Sequence, residues 1–341
     1  LLSIRRKCGQ GRSVRMNADA DVVIVGGGMA GLSAGIWAGR LGLKSKIIEK
    51  DERAGGQLHW IQDVIPDYPG LELRGTDFAR TLCDQAQRSA SIETGIAVQK
   101  ILPFQDAPEA GDLYVLETTG GILSARAVLI STGLRRRTLL AVRAFHGTGI
   151  YYTSQPRDQF KGDSLVIAGG GDGAVENAIL LQAQWKKIYI VHRGAALRAR
   201  PALADHIRNH SHIEVLLETE IVSVTGDPGI RGVVLSQGGK TRTVDADRLL
   251  VKVGFEAENT LLSSGGHHFA HAGSWLDSND EQMALHSTGD MPLDSRPIWV
   301  AGDVCTPRDP SLAVAAGQAC IAMRSIERYL RSKPSLLPNR N

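Results

Sequence analysis

Two stretches of glycine carry the residue types and spacing from which nucleotide chemistry is built. Gly26-Gly27-Gly28-Met29-Ala30-Gly31 follows the apolar run Val22 to Val25, and Gly169-Gly170-Gly171-Asp172-Gly173-Ala174 follows Leu165 to Ala168. In such a fingerprint Gly26 and Gly169 permit a tight strand-to-helix turn. Gly28 and Gly171 let the backbone approach a pyrophosphate, and Gly31 and Ala174 keep the helix close to the strand. The helix N-terminus, at Met29-Ala30 in one copy and Asp172-Gly173 in the other, offers free N–H groups and a positive dipole end to phosphate. Twenty-three residues beyond Gly26 stands Glu49, then Lys50; the same distance beyond Gly169 stands His192, then Arg193 and, further on, Arg198. A carboxylate accepts hydrogen bonds from both ribose hydroxyls, so the first site suits FAD or NAD. The second site carries basic residues in place of the acid, which suits a 2′-phosphate and makes NADPH the expected ligand ahead of NADH or a second FAD.

Elements of defined type must position these loops. Each fingerprint lies between a β-branched strand and an apolar helix, the context it requires. A second echo runs from Ala127 to Gly133 in the first half and from Arg248 to Gly254 in the second. The pattern predicts an α/β protein of two Rossmann-like, three-layer ββα nucleotide-binding domains, the second inserted in the first. The expected FAD-binding domain is residues 16–135 plus 256–341, and the expected NAD(P)H-binding domain is 136–255. The chain crosses between them near Thr132-Gly133 and Val253-Gly254. Tyr114–Thr118 and Val233–Ser236 are expected in the small crossover sheet of each half.

Composition excludes several classes. No run of the 341 residues approaches the ~18 apolar residues of a membrane helix. The net charge of +3 rests on Arg5, Arg6, Lys7, Arg12 and Arg15; without them the remainder carries about −2, too little for a nucleic-acid footprint. Residues 1–15 read as a disordered basic tail or as a non-native extension ahead of Met16. The four cysteines, Cys8, Cys83, Cys305 and Cys320, form no C-x-x-C pair, which suits a reducing cytoplasm. A Cys305–Cys320 disulfide stays open, because distance alone decides it. No metal site is expected: His206, His210 and His212, and likewise His267, His268 and His271, lack matching ligands at a metal spacing.

Further motifs now carry a resemblance. Gly55-Gly56-Gln57-Leu58, Tyr68-Pro69-Gly70, Ser131-Thr132-Gly133, Ala301-Gly302-Asp303-Val304 and Ala315-Ala316-Gly317-Gln318 stand in order along the chain. With them, residues 20–330 resemble the low-molecular-weight thioredoxin reductase family of FAD-dependent oxidoreductases. The resemblance implies that Gly56, Gln57 and Leu58 contact the flavin, as Thr132, Gly133, Gly302 and Asp303 also do, with Asp303 on the ribityl chain. Trp60 would cover part of the flavin. It further implies that His192, Arg193 and Arg198 clamp a 2′-phosphate, although Gly194 replaces an arginine of the family's pattern, and that the protein is a homodimer.

One departure bears on function. The family's redox C-x-x-C falls at Tyr152-Thr153-Ser154-Gln155, and no cysteine lies between Cys83 and Cys305. Serine and threonine cannot supply the thiolate that disulfide exchange requires. Two expectations follow. One is an NAD(P)H oxidoreductase passing electrons directly to an acceptor such as ferredoxin or flavodoxin, which Arg135-Arg136-Arg137 would help to dock. The other is a divergent thiol-disulfide oxidoreductase acting on a disulfide substrate through Cys305 or partner cysteines, with a second flavin in the nucleotide domain as a variant of that reading. Cys305, two residues past Asp303, is the one catalytic candidate among the thiols; the alternative is a small packed residue.

Overall fold

The computed structural model describes residues 18–61, 64–103, 113–154, 159–208, 210–258, 261, 271–272, 275–276, 278–284, 297–305 and 311–333. The expectations about residues 1–15, Cys8, His267, His268 and Gln155 lie outside them. The chain forms two compact units: Arg135–Glu256 is one, and the residues on either side, up to Leu134 and from Ala257, are the other.

In the first unit β1 (Ala20–Val25) is fully buried and, apart from Asp21, apolar, as suits a central parallel strand. It leads through the glycine turn into α1 (Met29–Arg40) and returns as β2 (Ser45–Ile48). Next come α2 (Gly75–Gln87), β3 (Ala90–Glu93), β4 (Val98–Pro103), β5 (Tyr114–Thr118) and the ten-residue β6 (Gly121–Ile130). The strands hydrogen-bond in the order β3-β2-β1-β6-β5-β4. β6 belongs to two layers at once: Ala125–Ile130 runs parallel to β1, while Gly121–Ala125 pairs antiparallel with β5.

Period-two alternation divides the core in two. Val22, Ile24, Ala127 and Leu129 pack with α1 and α2, whereas Val23, Val25, Val128 and Ile130 pack with Tyr114 and Leu116 of the antiparallel meander.

The second unit repeats this plan with different strand lengths. The chain enters through β7 (Leu134–Arg136) and β8 (Ile150–Tyr151), and builds β9 (Gly162–Ala168), α3 (Asp172–Leu181), β10 (Trp185–Val191), α4 (Pro201–Arg208) and β11 (Ile213–Leu216). The separate meander β12 (Thr219–Thr225), β13 (Gly232–Gln237) and β14 (Lys240–Asp245) follows, then β15 (Arg248–Val251) and the exit strand β16 (Phe255–Ala257). The parallel sheet runs β11-β10-β9-β15-β8, and β16 pairs with β7 where the chain passes in and out. Leu165, Ile167, Ile188 and Leu250 face α3 and α4; Val166, Ala168, Leu249 and Val251 face the meander. Both units are therefore three-layer ββα sandwiches, as expected from the paired fingerprints.

The chain then adds the hairpin β17 (His271–Ala272) and β18 (Trp275–Leu276), and returns to the first sheet as β19 (Trp299–Val300) on β6. It ends in α5 (Leu312–Ser332), capped by the Ser311 hydroxyl, which accepts from the Val314 N–H at 3.2 Å. Ala315, Ala319, Ala322, Met323 and Ile326 of α5 join the α1 face of the core.

Candidate functional site

The first glycine loop is shaped by two close approaches. Gly26 has φ +103°, and a Cβ there would lie 2.4 Å from the Ser131 carbonyl oxygen. A Cβ on Gly31 would lie 1.9 Å from the Gly26 oxygen, so α1 is drawn tightly onto the turn. Gly28 caps α1 with no side-chain partner, and a Cβ at Gly28 would meet nothing within 4 Å. The uncapped amide end therefore faces open space, which fits a pyrophosphate. Met29 and Ala30 turn their side chains into the core, so what they offer a ligand is backbone.

Glu49, only 6 % exposed, accepts from the Gly27 N–H at 2.6 Å through Oε2 and from the Asp51 N–H at 2.9 Å through Oε1. Each oxygen keeps a second acceptor direction for a ribose hydroxyl. Beside it opens a cleft of about 420 Å³ lined by Gly26, Glu49, Lys50, Thr132, Ile96 and Val98, among others. Apolar walls with the Glu49 carboxylate, beside Lys50 paired with Glu258 at 3.7 Å, are surroundings that suit an adenosine. Ile96 and Val98 escaped the sequence reading, because nothing local marks an apolar residue at the start of β4 as a wall rather than core.

The other predicted residues of this unit gather on the same loop. Gly55 N–H donates to the Gly27 oxygen at 2.8 Å, and a Cβ on Gly56 would come within 3.1 Å of Gly28 Cα. Gln57 is exposed, while Leu58 is buried in the core and presents no side chain to a ligand. Trp60 is 55 % exposed. Thr132 donates its hydroxyl to the Glu258 carbonyl at 2.6 Å, next to Gly133. Gly302 N–H donates to Gln318 Oε1 at 2.8 Å, and a Cβ on Gly302 would meet the Ala30 side chain at 2.8 Å, so the Gly302–Cys305 turn rests on α1. Burial pushes the Asp303 carboxyl above its ordinary range, and no described residue pairs with it. A half-buried carboxyl with no partner among the described residues fits a sugar-alcohol chain carrying hydroxyls. On these observations the residues present fit FAD.

Cys305 is buried, with Sγ 3.3 Å from the Gly302 carbonyl oxygen and 3.6 Å from both Gln282 Oε1 and Gln318 Oε1. The thiol is enclosed and packed among oxygen acceptors, which fits the packed alternative. Cys83, Cys305 and Cys320 take part in no disulfide, so the Cys305–Cys320 pairing left open by the sequence does not form.

The second loop repeats the backbone with different side chains. Gly169 has φ +143°, and a Cβ there would strike the Lys252 oxygen at 2.3 Å. Gly171 caps α3 with no side-chain partner, and Cβ atoms at Gly171 and Gly173 would meet nothing within 4 Å. Ala174 is buried behind the loop and Asp172 opens the helix. His192 packs its ring on Gly170, where a Cβ would lie 2.4 Å from the ring carbon Cγ. Burial, then Arg198, then Arg193 hold this imidazole below its ordinary pKa. The ring packs on the loop, and Arg193 and Arg198, both exposed, flank it with fixed positive charge.

Two further findings lie in this unit. The Ser154 hydroxyl, inside the four-residue stretch where the family carries its dithiol, donates to Asn177 Oδ1 at 2.8 Å, and Asn177 donates to the Gly173 oxygen at 2.7 Å. Lys252, missed in the sequence, follows β15 and donates from Nζ to the Tyr152 oxygen at 3.2 Å. Burial and the nearby Arg136 lower its amine to about 8. The arginine triplet is not a uniform basic face: Arg135 pairs with Glu256 at 2.8 Å, Arg137 with the same carboxylate at 3.9 Å, and Arg136 is partly buried. The ring centres of His206 and His210 lie 5.1 Å apart and those of His210 and His212 5.8 Å, and no metal-holding group occurs among the described residues.

Comparison with known proteins agrees with this geometry. Residues 20–320 match the model of the pyridine nucleotide-disulphide oxidoreductase family. The chain is 28 % identical to a thioredoxin reductase of Helicobacter pylori, over 91 % of this chain and 98 % of that one. It is also 28 % identical to a ferredoxin–NADP reductase of Paramagnetospirillum magneticum, over 84 % and 86 %. The solved thioredoxin reductase of T. acidophilum superposes with a TM-score of 0.76 at 25 % identity, over 91 % of this chain and 98 % of that one. The chain belongs to the pyridine nucleotide-disulphide oxidoreductase family and is an FAD-dependent oxidoreductase of the thioredoxin reductase-like type.

Proposed function

We propose that this protein takes electrons from NADPH and passes them from its flavin directly to a small redox protein of the ferredoxin or flavodoxin kind. The observation that carries this reading is the replacement of the family's dithiol by Tyr152-Thr153-Ser154-Gln155, with Ser154 committed to a hydrogen bond with Asn177. Without a thiol pair there, the internal relay to a disulfide substrate is missing. The likeness to a ferredoxin–NADP reductase supports the same choice of acceptor.

In this reading the Arg135–Glu256 unit holds the nicotinamide nucleotide and the other unit holds FAD. When bound, FAD supplies a centre that accepts two electrons together and releases them singly. This chain's residues bind and orient. The α1 amide end and Gly28 cradle the pyrophosphate, Glu49 accepts from the ribose, Ile96 and Val98 enclose the adenine, and Asp303 holds the ribityl hydroxyls. The α3 amide end, Arg193 and Arg198 hold the phosphates of the second nucleotide, with His192 as the floor beneath. A cytoplasmic homodimer completes the reading, on family resemblance.

The test is an anaerobic titration of the yellow protein with NADPH and then NADH, followed by addition of ferredoxin, flavodoxin or a disulfide. Bleaching by NADPH and reoxidation by ferredoxin or flavodoxin are expected. Reoxidation by the disulfide alone, abolished in Cys305→Ser, would replace this reading with the thiol one.

A further inference from the structure

The second loop holds a charge pair that the first does not. Asp172 is the first residue of α3, at the amide end where a phosphate is to sit; the corresponding residue of α1 is the neutral Met29. A carboxylate there stabilises the helix but repels a phosphate. Arg200 covers it. The Arg200 N–H donates to Asp172 Oδ1 at 2.7 Å, Nε donates to Oδ2 at 2.7 Å, and Nη2 donates to Glu176 Oε1, one turn further along α3, at 2.8 Å.

The same arginine fixes a loop. Its carbonyl oxygen accepts from the Leu203 and Ala204 N–H groups, so it starts α4, with Pro201 at the first helical position. Just before it, the Arg198 and Ala199 N–H groups both donate to the Gly170 oxygen, at 2.7 and 3.1 Å. The segment from Arg193 to Arg200 is thus drawn over the glycine loop at Gly170 and pinned to α3 by the Arg200 side chain. That segment carries both exposed arginines of the clamp.

We infer that Arg200 is a positioning residue whose clamp on Asp172 and Glu176 holds the Arg193–Arg198 loop where it reads a nucleotide's 2′-phosphate. The inference rests on the proposal that this unit binds NADPH. Arg200 itself touches no nucleotide in this scheme. Its loss frees the loop and lowers affinity for the phosphorylated nucleotide, while leaving flavin reduction at saturation and the use of NADH nearly unchanged.

The test is stopped-flow flavin reduction of the holoenzyme across NADPH and NADH concentrations, in wild type, Arg200→Gln, Arg200→Lys and Glu176→Gln. Arg200→Gln removes a positive charge and Glu176→Gln a negative one, yet both loosen the clamp. Positioning predicts the same direction in both: the half-saturating NADPH concentration rises, about tenfold in Arg200→Gln and less in Glu176→Gln, with the limiting rate and the NADH curve moving less than about threefold. Arg200→Lys keeps the charge without the planar fork and recovers part of the loss. Opposite shifts in Arg200→Gln and Glu176→Gln, equal for both nucleotides, would assign the effect to bare electrostatics and overturn the inference. Unchanged NADPH selectivity in both would overturn it as well, with the NADPH reading intact. A wild-type flavin reduced by neither nucleotide would sink that reading and this inference together.

Discussion

The two glycine loops share a backbone and differ in what stands behind it. In each, a positive-φ glycine ends a buried strand and a side chain 22 residues beyond the middle glycine returns to the loop. In the first that side chain is Glu49, which hydrogen-bonds the Gly27 amide and keeps acceptor capacity for a ribose. In the second it is His192, whose ring packs flat enough on Gly170 to leave no room for a Cβ. One frame thus has a polar reader behind it and the other a packed ring flanked by arginines. In the function proposed above, the backbone places each dinucleotide, Glu49 reads the ribose of one, and the arginines beside His192 read the phosphate of the other.

The comparison breaks most readily at the third fingerprint position. Gly31→Ala gives the first loop the residue that the second carries at Ala174. With a Cβ 1.9 Å from the Gly26 oxygen, the cost expected is about 3 kcal/mol of unfolding free energy, with loss of bound flavin. Thermal unfolding and the absorbance of the purified protein measure it, and a stable yellow variant would show that α1 can retreat as α3 has.

Exchanging the returning side chains tests the reader itself. Glu49→His removes a buried acceptor and is expected to weaken FAD binding by about 2 kcal/mol, read by flavin release on dilution. The reciprocal His192→Glu sets a carboxylate against the 2′-phosphate, and the ratio of NADPH to NADH efficiency is expected to fall about tenfold or more. A ratio that stays put would mean that the arginines read the phosphate alone.

A smaller effect separates the two units by pH. In the second, Lys252 titrates near 8 when folded against an ordinary 10.5. The folded form disfavours the charge, so the penalty is complete below pH 8, fades between 8 and 10.5, and is absent above. Stability from this group therefore rises with pH across that window. Lys252→Met is expected to stabilise the protein without nucleotide by about 1 kcal/mol at pH 7, after allowance for solvent screening, and to flatten that rise. Denaturant unfolding at pH 7 and pH 10 checks both. The smallest effect is expected at Cys305→Ser: a buried thiol already donating to oxygens accepts the change with about 1 kcal/mol or less, and NADPH-driven flavin reduction persists.

Much of this was legible because the signals are local. An apolar run, a glycine turn and an apolar helix are contiguous in the chain, and they foretold both sandwiches and the loops at Gly26 and Gly169. The antiparallel strand at Tyr114–Thr118 was legible from alternation, though not that β6 would serve both its sheet and the parallel one. Charge was less legible than position. His192 read as one of three basic residues until the fold buried it beside two arginines, where desolvation and repulsion both favour the neutral ring. Arg135-Arg136-Arg137 read as a basic surface until Glu256, 119 residues beyond Arg137, came to stand between its outer members.

By itself, the sequence determined that this chain holds two dinucleotide loops, a carboxylate behind one and basic residues behind the other, and no dithiol between them. Those are statements about which residue types occur at which spacing. Only the tertiary structure decided what surrounds them: the cleft walled by Ile96 and Val98, the half-buried carboxyl of Asp303, the oxygens around Cys305, the depressed amine of Lys252 and the Arg200 clamp on Asp172. The reason is that burial and pairing depend on atoms far apart in the chain. The free energy of a charge or thiol is set by those neighbours and not by its own identity.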